Sequence, residues 1–350
     1  MSKPWMIYGA YGYTGELIAR EAARRGLRPT LAGRDASRVE ALARELELPH
    51  RAFGLSNGER LREGIAGMAL VLHCAGPFSA TARPMMEACL QAGAHYLDIT
   101  GEIGVFEHAA SLDGRARKRS VVICPGVGFD VVPTDCLALA LSEACPDAKR
   151  LALGFDSRGR MSPGTAKTSV EGLANGGAVR RDGHIVRVPL AWRTRRIDFG
   201  DGEKLAMTIP WGDVSTAFYT TGIPDIEVYI PASEKLVARL KRMNFVRPLL
   251  GLGPVQRFMK SRIDKSVRGP GEEQRAKAPT WVWGEVESAD GRRATGRIRV
   301  ANGYDVTVAA SLAIAEHVLG TPASGHFTPA RLMGRDFVTT LPDSGPMEID

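Results

Sequence analysis

The chain has 350 residues, 44% hydrophobic and 24% charged, with net charge +7 and a pI near 9.3, an ordinary globular composition with room for one large or two medium domains. Its five cysteines, Cys74, Cys89, Cys124, Cys136 and Cys145, show no CxxC pair and no His-rich partner cluster, which argues against a zinc site or disulfide framework and for a reducing, cytoplasmic setting. No apolar run is long enough to span a bilayer, the first strand leaves no room for a signal peptide, and the basic balance comes without a recognised nucleic-acid motif, so a soluble protein with an acidic ligand or partner is expected.

The chain opens with the strand Met6-Ile7-Tyr8 running into Gly9-Ala10-Tyr11-Gly12-Tyr13-Thr14-Gly15, a GxxGxxG turn. Apolar residues at helical spacing follow from Glu16 to Arg25, and Gly26 closes the helix. A second strand, Pro29 to Ala32, completes a βαβ unit. Such a unit aims free backbone N–H groups of the helix start at a dinucleotide pyrophosphate, and glycine lets the phosphate approach. The second strand ends in Gly33-Arg34-Asp35. A guanidinium there pairs with a 2′-phosphate where an acid would take the ribose hydroxyl, so NADP(H) is expected over NAD. Asp35 has two open alternatives: capping the next helix, or binding the ribose itself.

The βα alternation continues. Ala36 to Leu46 and Asn57 to Ala66 read as helices and His50 to Phe53 as a strand. Met68 to Cys74 is a continuous apolar run suited to a strand buried on both faces. Its end, Ala75-Gly76-Pro77-Phe78, is expected to face the cofactor or simply to turn the chain. A helix from Thr81 to Ala92 leads to the strand His95 to Glu102. Tyr96, Asp98 and Glu102 on it are candidates to orient substrate or relay a proton, the alternative being caps of the next helix. Val105 to Lys118 reads as one helix and Ser120 to Cys124 as a strand. The turn Pro125 to Asp135 then opens a helix to about Ala144, with Asp130 at its mouth.

At this point the motifs GAYGYTG, AGRD, CAGPF, YLDITGE and PGVGFDVVPTD resemble the saccharopine dehydrogenase-like NADP-binding oxidoreductases, particularly the bacterial branch that includes trans-acting enoyl reductases. Segments near Gly164–Ser169, Gly269–Arg275, Ala301–Tyr304 and Phe327–Pro329 extend the resemblance over nearly the full length. It implies an NADP(H) role for Gly9, Tyr11, Gly12, Tyr13, Thr14, Gly15 and Arg34 and for Ala75, Gly76, Pro77 and Phe78. The substrate is implied less directly than the fold.

From about Asp147 the rhythm changes. Strands are expected at 150–155, 185–189, 225–230, 280–287 and 292–300, the last two as a hairpin around Asp290-Gly291. A helix over 163–175 presents Thr165, Lys167 and Ser169 either to substrate or to solvent. The expected architecture is α/β: an N-terminal Rossmann domain with a doubly wound parallel sheet over 1–146, and an α+β domain over 147–303. A C-terminal helix and tail over 304–350 return to the first domain, and a cleft between domains follows from that layout. Within 239–268 nine basic residues face only Asp264, interleaved with apolar ones, a pattern suited to an acidic acyl carrier protein, an anionic membrane face or plain packing.

Three functional readings stay open. The first is NADPH-dependent reduction of the C=C bond of an enoyl thioester in lipid or polyketide metabolism, with Tyr96, Asp98, Glu102, Asp130 and Lys167 as the pool of proton donors. The second is C–N/C=N oxidoreduction of an amino-acid-like substrate, with Arg180, Arg181, Arg193, Arg195 and Arg196 recognising carboxylates. The third is a lipid-associated scaffold that binds NADPH without turnover. No metal is expected, and a homodimer is left open.

Overall fold

The computed structural model describes residues 3–350 apart from 160, 161, 163, 165–169, 171, 173, 267 and 268, with backbone only for 248, 249, 260 and 263–266. Short strands buried at every position set the first sheet: Trp5–Tyr8 (β1), Thr30–Gly33 (β2) and Leu70–His73 (β4). That is the pattern of strands covered on both faces. They alternate with helices Tyr13–Arg24 (α1), Ala36–Glu45 (α2), Gly58–Ile65 (α3), Phe78–Ala92 (α4), Ile103–Ser111 (α5) and Asp113–Lys118 (α6), and with His50–Ala52 (β3), His95–Asp98 (β5) and Val122–Cys124 (β6).

All pairs in this sheet run parallel. The order is Gly325–His326, β6, β5, β4, β1, β2, β3, the 3-2-1-4-5-6 arrangement of dinucleotide-binding sheets with one short added strand. The order reverses between β1 and β4, so the carboxyl ends of those strands flank the crevice where ligands bind. One face is closed by a cluster that includes Tyr8, Phe53, Met85, Met86, Tyr96 and Val105.

The helix expected over 105–118 is broken at Leu112, which caps α5 and begins α6. Asp113 supplies the reason. Its Oδ1 accepts the His326 backbone N–H at 2.8 Å and its Oδ2 the Arg117 Nε at 2.9 Å, so the chain turns to meet the edge strand.

Two compact units divide the chain: Met1–Val132 with Tyr304–Met333, and Pro133–Gly303 with Gly334–Asp350. The division at Gly303/Tyr304 falls where it was expected, whereas the first break lies at Val132 rather than 146 and the tail from Gly334 belongs to the second unit. The helix Val132–Ala144 (α7) belongs, from Pro133 on, to the second unit, because its apolar face has a seat there. Gly284 and Gly296 are cross-strand partners, and a Cβ on either would lie 2.7 Å from Leu141 Cδ1 or Leu137 Cδ1 respectively. Bare backbone at both positions admits two fully buried leucines, each worth about 1.5–3 kcal/mol on burial. The tail is likewise split, since Glu348–Ile349 pairs antiparallel with Arg293–Val300 of the second unit.

The second unit holds a mixed sheet. Its strands are Ala148–Ser157 (β7), Gly177–Arg181 (β8), His184–Val188 (β9), Thr194–Asp198 (β10), Glu203–Thr208 (β11), Asp225–Pro231 (β12), Thr280–Ser288 (β13) and Arg293–Val300 (β14). β12 and β7 run parallel, and the other pairs are antiparallel. The hairpin expected at Asp290-Gly291 is present, with Gly291 in the left-handed region at φ +87°. β8, β10 and β11 carry no sequence signal of their own strength, being charged strands such as TRRID and EKLAMT.

Candidate dinucleotide site

The first unit builds its site from four turns at the carboxyl ends of its central strands. After β1 the backbone reverses through Gly9, whose φ of +84° is left-handed, and Gly12 N–H returns to the Gly9 carbonyl at 3.0 Å. A Cβ on Gly9 would press 2.8 Å against Ala75, and one on Gly15 would collide with the Gly9 carbonyl oxygen. Both glycines are therefore required by the turn itself. Gly12 is different: it is the N-cap residue of α1 and provides no side-chain cap, and Tyr11 to Thr14 are half-buried. With no side-chain cap, the start of α1 suits an anion, and the glycine cradle fits a pyrophosphate.

At the end of β2 the turn is held by Tyr11. Its hydroxyl accepts the Asp35 N–H at 3.3 Å, and its ring lies where a Cβ on Gly33 would sit, 2.5 Å from Tyr11 Cε1. Asp35 takes the capping alternative: its Oδ1 accepts Arg38 N–H at 3.2 Å and Ser37 Oγ at 2.8 Å. These bonds, that from Ser37 foremost, hold its carboxyl below the usual range. Arg34 is exposed and makes no hydrogen bond or ion pair among the described residues, so its guanidinium is open to a 2′-phosphate. A second cation, Arg38, was not singled out by the sequence. Its guanidinium lies 4.5 Å over the Tyr11 ring and donates to the Tyr11 carbonyl at 3.1 Å. The signal was present in the spacing, four residues after Arg34.

Beyond β4, Ala75 to Phe78 form a turn fastened from two sides. Thr81 Oγ1 donates to the Ala75 and Pro77 carbonyls at 2.7 and 3.0 Å, while Glu102 accepts the N–H groups of Phe78 and Ser79 at 2.9 and 2.8 Å. Glu102 therefore caps α4 and fills that helix start with negative charge. Of the two helix N-termini flanking the switch point, α1 is the one with no side-chain cap, its first-turn acid Glu16 pairing with Arg20 instead. His73, at the end of β4, is fully buried among Tyr8, Phe78 and Tyr96 with no hydrogen-bond partner on either ring nitrogen, and burial pushes it down to about 3.

Tyr96 and Asp98 are both fully buried on β5. The Tyr96 hydroxyl donates to Asp98 Oδ2 at 2.6 Å, and Asp98 Oδ1 accepts the N–H groups of Thr100 and Gly126 at 3.0 and 2.9 Å. Burial pushes Asp98 up to about 6 and Tyr96 well above its ordinary value. The pair stitches the β5 turn to the β6 turn. Asp130 lies in that β6 turn, half-buried, with its Oδ2 2.6 Å from where a Cβ on Gly101 would stand; burial pushes its carboxyl up to about 7. Thr307, also not anticipated, accepts the Phe129 N–H at 2.9 Å and fixes this turn. Tyr13 meets Tyr304 edge-on, with ring centroids 5.0 Å apart. Tyr96, Asp98, Glu102 and Asp130 are thus gathered at one edge of one sheet, and Lys167 lies outside the described residues.

In the second unit the five arginines expected to recognise carboxylates are engaged within the protein. Arg180 donates to the Val214 and Gly183 carbonyls, Arg181 and Arg193 pair with Glu227, Arg195 pairs with Glu285, and Arg196 with Glu203. Among the described residues no group of three or more His, Cys, Asp or Glu gathers as a metal site.

A parallel 3-2-1-4-5-6 sheet with an uncapped glycine turn at its switch point defines a dinucleotide-binding Rossmann protein. Residues 5–124 match the family described as the saccharopine dehydrogenase NADP binding domain, so the first part of the chain is similar to that domain. NADP(H) is the cofactor of that domain. The chain is 30% identical over 138 residues to a trans-acting enoyl reductase of Mycobacterium ulcerans, covering 37% of this chain and 33% of that protein. It is 29% identical over 153 residues to the human saccharopine dehydrogenase-like oxidoreductase, covering 37% and 35%. It spans less than half the length of these curated relatives. The fold is that of the apo saccharopine dehydrogenase (L-Glu forming) of Saccharomyces cerevisiae, with TM-score 0.68 at 10% identity over 99% of this chain and 100% of that one.

Proposed function

We propose that the chain is an NADPH-dependent oxidoreductase that reduces the C=C bond of an enoyl thioester in lipid or polyketide metabolism. The observation that carries this reading is the uncapped glycine turn after β1 on a sheet whose β6 turn places the Asp130 carboxyl beside Gly101, a carboxyl that burial raises to about 7. NADPH, when bound, supplies a hydride to the β-carbon. The α-carbon then needs a proton. With its carboxyl raised to about 7 by burial, Asp130 carries a proton in part of the molecules near neutral pH, and a donor whose pKa lies near the working pH is the efficient kind. Gly12 and its neighbours hold the pyrophosphate, Arg34 the 2′-phosphate, and Glu102 and Thr81 fix the Ala75 to Phe78 turn beside them.

The relatives named trans-acting enoyl reductases support the substrate class. The C–N reading asks for open arginines, and the five candidates are engaged with carboxylates or carbonyls of their own unit. The test is NADPH consumption followed at its absorbance with enoyl thioesters and, separately, with amino acid/keto acid pairs. Turnover with the thioesters is expected. Turnover with the amino-acid pairs alone overturns the substrate class, and NADPH binding without turnover of either overturns the enzymatic reading.

A further inference from the structure

The charge of this protein is concentrated in one segment. Residues 239–268 carry nine Lys or Arg against Asp264, a net +8, while the whole chain is +7, so all the rest together is −1. Elsewhere many basic side chains are matched by acids, as in Arg20 with Glu16 and Glu45, Arg115 with Glu87, and Arg150 with Glu287. In this segment Arg239, Lys241, Arg242 and Arg257 are exposed and make no ion pair among the described residues.

The same segment displays large apolar side chains. Phe245 is 91% exposed, Phe258 67%, Leu252 52% and Val246 48%. The segment is nonetheless docked at its root. The helix Glu234–Met243 buries Val237 in a cluster with Ala191 and Met207, and Asn244 exchanges hydrogen bonds with the Leu190 backbone at 2.8 and 3.2 Å. The aromatics are thus held out from a fixed base.

We propose that this segment docks the protein on an anionic lipid surface, with Phe245 and Phe258 entering the headgroup boundary and the basic side chains meeting lipid phosphates. Two observations favour lipid over an acidic protein. The apolar side chains project singly, on both sides of the Gly251 to Pro254 break, and a fluid interface accepts isolated rings whereas a protein partner needs a shaped complementary patch. Unpaired cations beside them complement an anionic leaflet. No described helix is long and apolar enough to cross a membrane.

The full chain is sedimented with phosphatidylcholine vesicles with and without phosphatidylglycerol. Binding to the anionic vesicles alone is expected, weakening as salt rises. A triple variant, Arg239→Gln, Arg242→Gln and Arg257→Gln, should lower partitioning roughly a hundredfold. The double variant Phe245→Ser and Phe258→Ser should lower it about tenfold. Unchanged NADPH affinity in both reports an intact fold. Equal binding to neutral vesicles, or full binding by the double variant, overturns the proposal. Retention on an immobilised acidic acyl carrier protein with no vesicle binding overturns it too, in favour of a protein partner.

Discussion

The Glu102 carboxylate holds the Phe78 backbone N–H at 2.9 Å, and its second oxygen takes the next N–H, that of Ser79, at 2.8 Å. An acid that reads in sequence as a proton carrier is therefore committed to closing a helix start. Glu102→Ala should destabilise the fold by about 1–2 kcal/mol, the usual loss for a cap with charge assistance. Glu102→Gln, which keeps an acceptor oxygen, should lose about half of that and retain most turnover. Urea denaturation beside NADPH consumption checks this; a Gln variant of full stability and no turnover makes Glu102 a proton carrier instead.

On the proposed reading, cofactor choice depends on Arg34 and Arg38. Arg34→Ala should erase the preference for NADPH over NADH, a loss of about 1.5–3 kcal/mol, or roughly 10- to 100-fold in affinity. Arg38→Ala should weaken NADPH binding less, since this side chain is also tied to Tyr11. Gly12→Val should abolish binding of both cofactors because the added methyls enter the anion cradle, and it should lower the melting temperature somewhat, since a Cβ there lies 3.2 Å from the Gly9 carbonyl oxygen. Calorimetric titration with each cofactor separates these cases, and equal affinity of the unmodified chain for both removes Arg34 from its role.

The glycine turn and the positions of the β4, β5 and β6 turns were legible because parallel strands buried on both faces leave continuous apolar runs with polar ends. The roles of Tyr96, Asp98 and Glu102 were not. Whether a carboxylate at a strand end meets substrate or backbone is decided by the neighbouring turn, some 23 to 28 residues away for Glu102 and Asp98. The charged strands β10 and β11 were missed because their inward residues are arginine and lysine paired across the sheet, as Arg195 is with Glu285 and Lys204 with Asp156. The placement of α7 turned on Gly284 and Gly296, whose missing side chains say nothing until the strands are paired.

His73 predicts an acid limb in stability. Burial lowers its folded pKa to about 3 from 6.5, so below 6.5 the unfolded chain takes a proton that the folded one refuses. Stability is then lost as pH falls from 6.5 toward 3, with a ceiling of about 5 kcal/mol at 1.36 kcal/mol per unit. His73→Leu, which removes the unpartnered nitrogens, should flatten that limb. Melting temperature measured across this window tests it, and an unchanged limb assigns acid sensitivity to other groups.

Asp130 gives the opposite sign. Its folded carboxyl is raised to about 7 from 3.8, so between those values the folded state keeps a proton that the unfolded chain releases. Stability falls as pH rises through that window, by roughly 1–2 kcal/mol once partial exposure is allowed for. Asp98, raised to about 6, adds to the same trend. Asp130→Asn should remove its share of the loss and make the protein more stable at pH 8. The same variant should lower kcat by about 10²- to 10⁴-fold, the usual worth of a positioned proton donor, with NADPH affinity kept. In the unmodified enzyme kcat should decline as pH rises above about 7, where the carboxyl is emptied. A variant that keeps both its rate and that decline shows that the proton comes from solvent or another group, while a variant that loses NADPH affinity along with rate shows that Asp130 supports the turn.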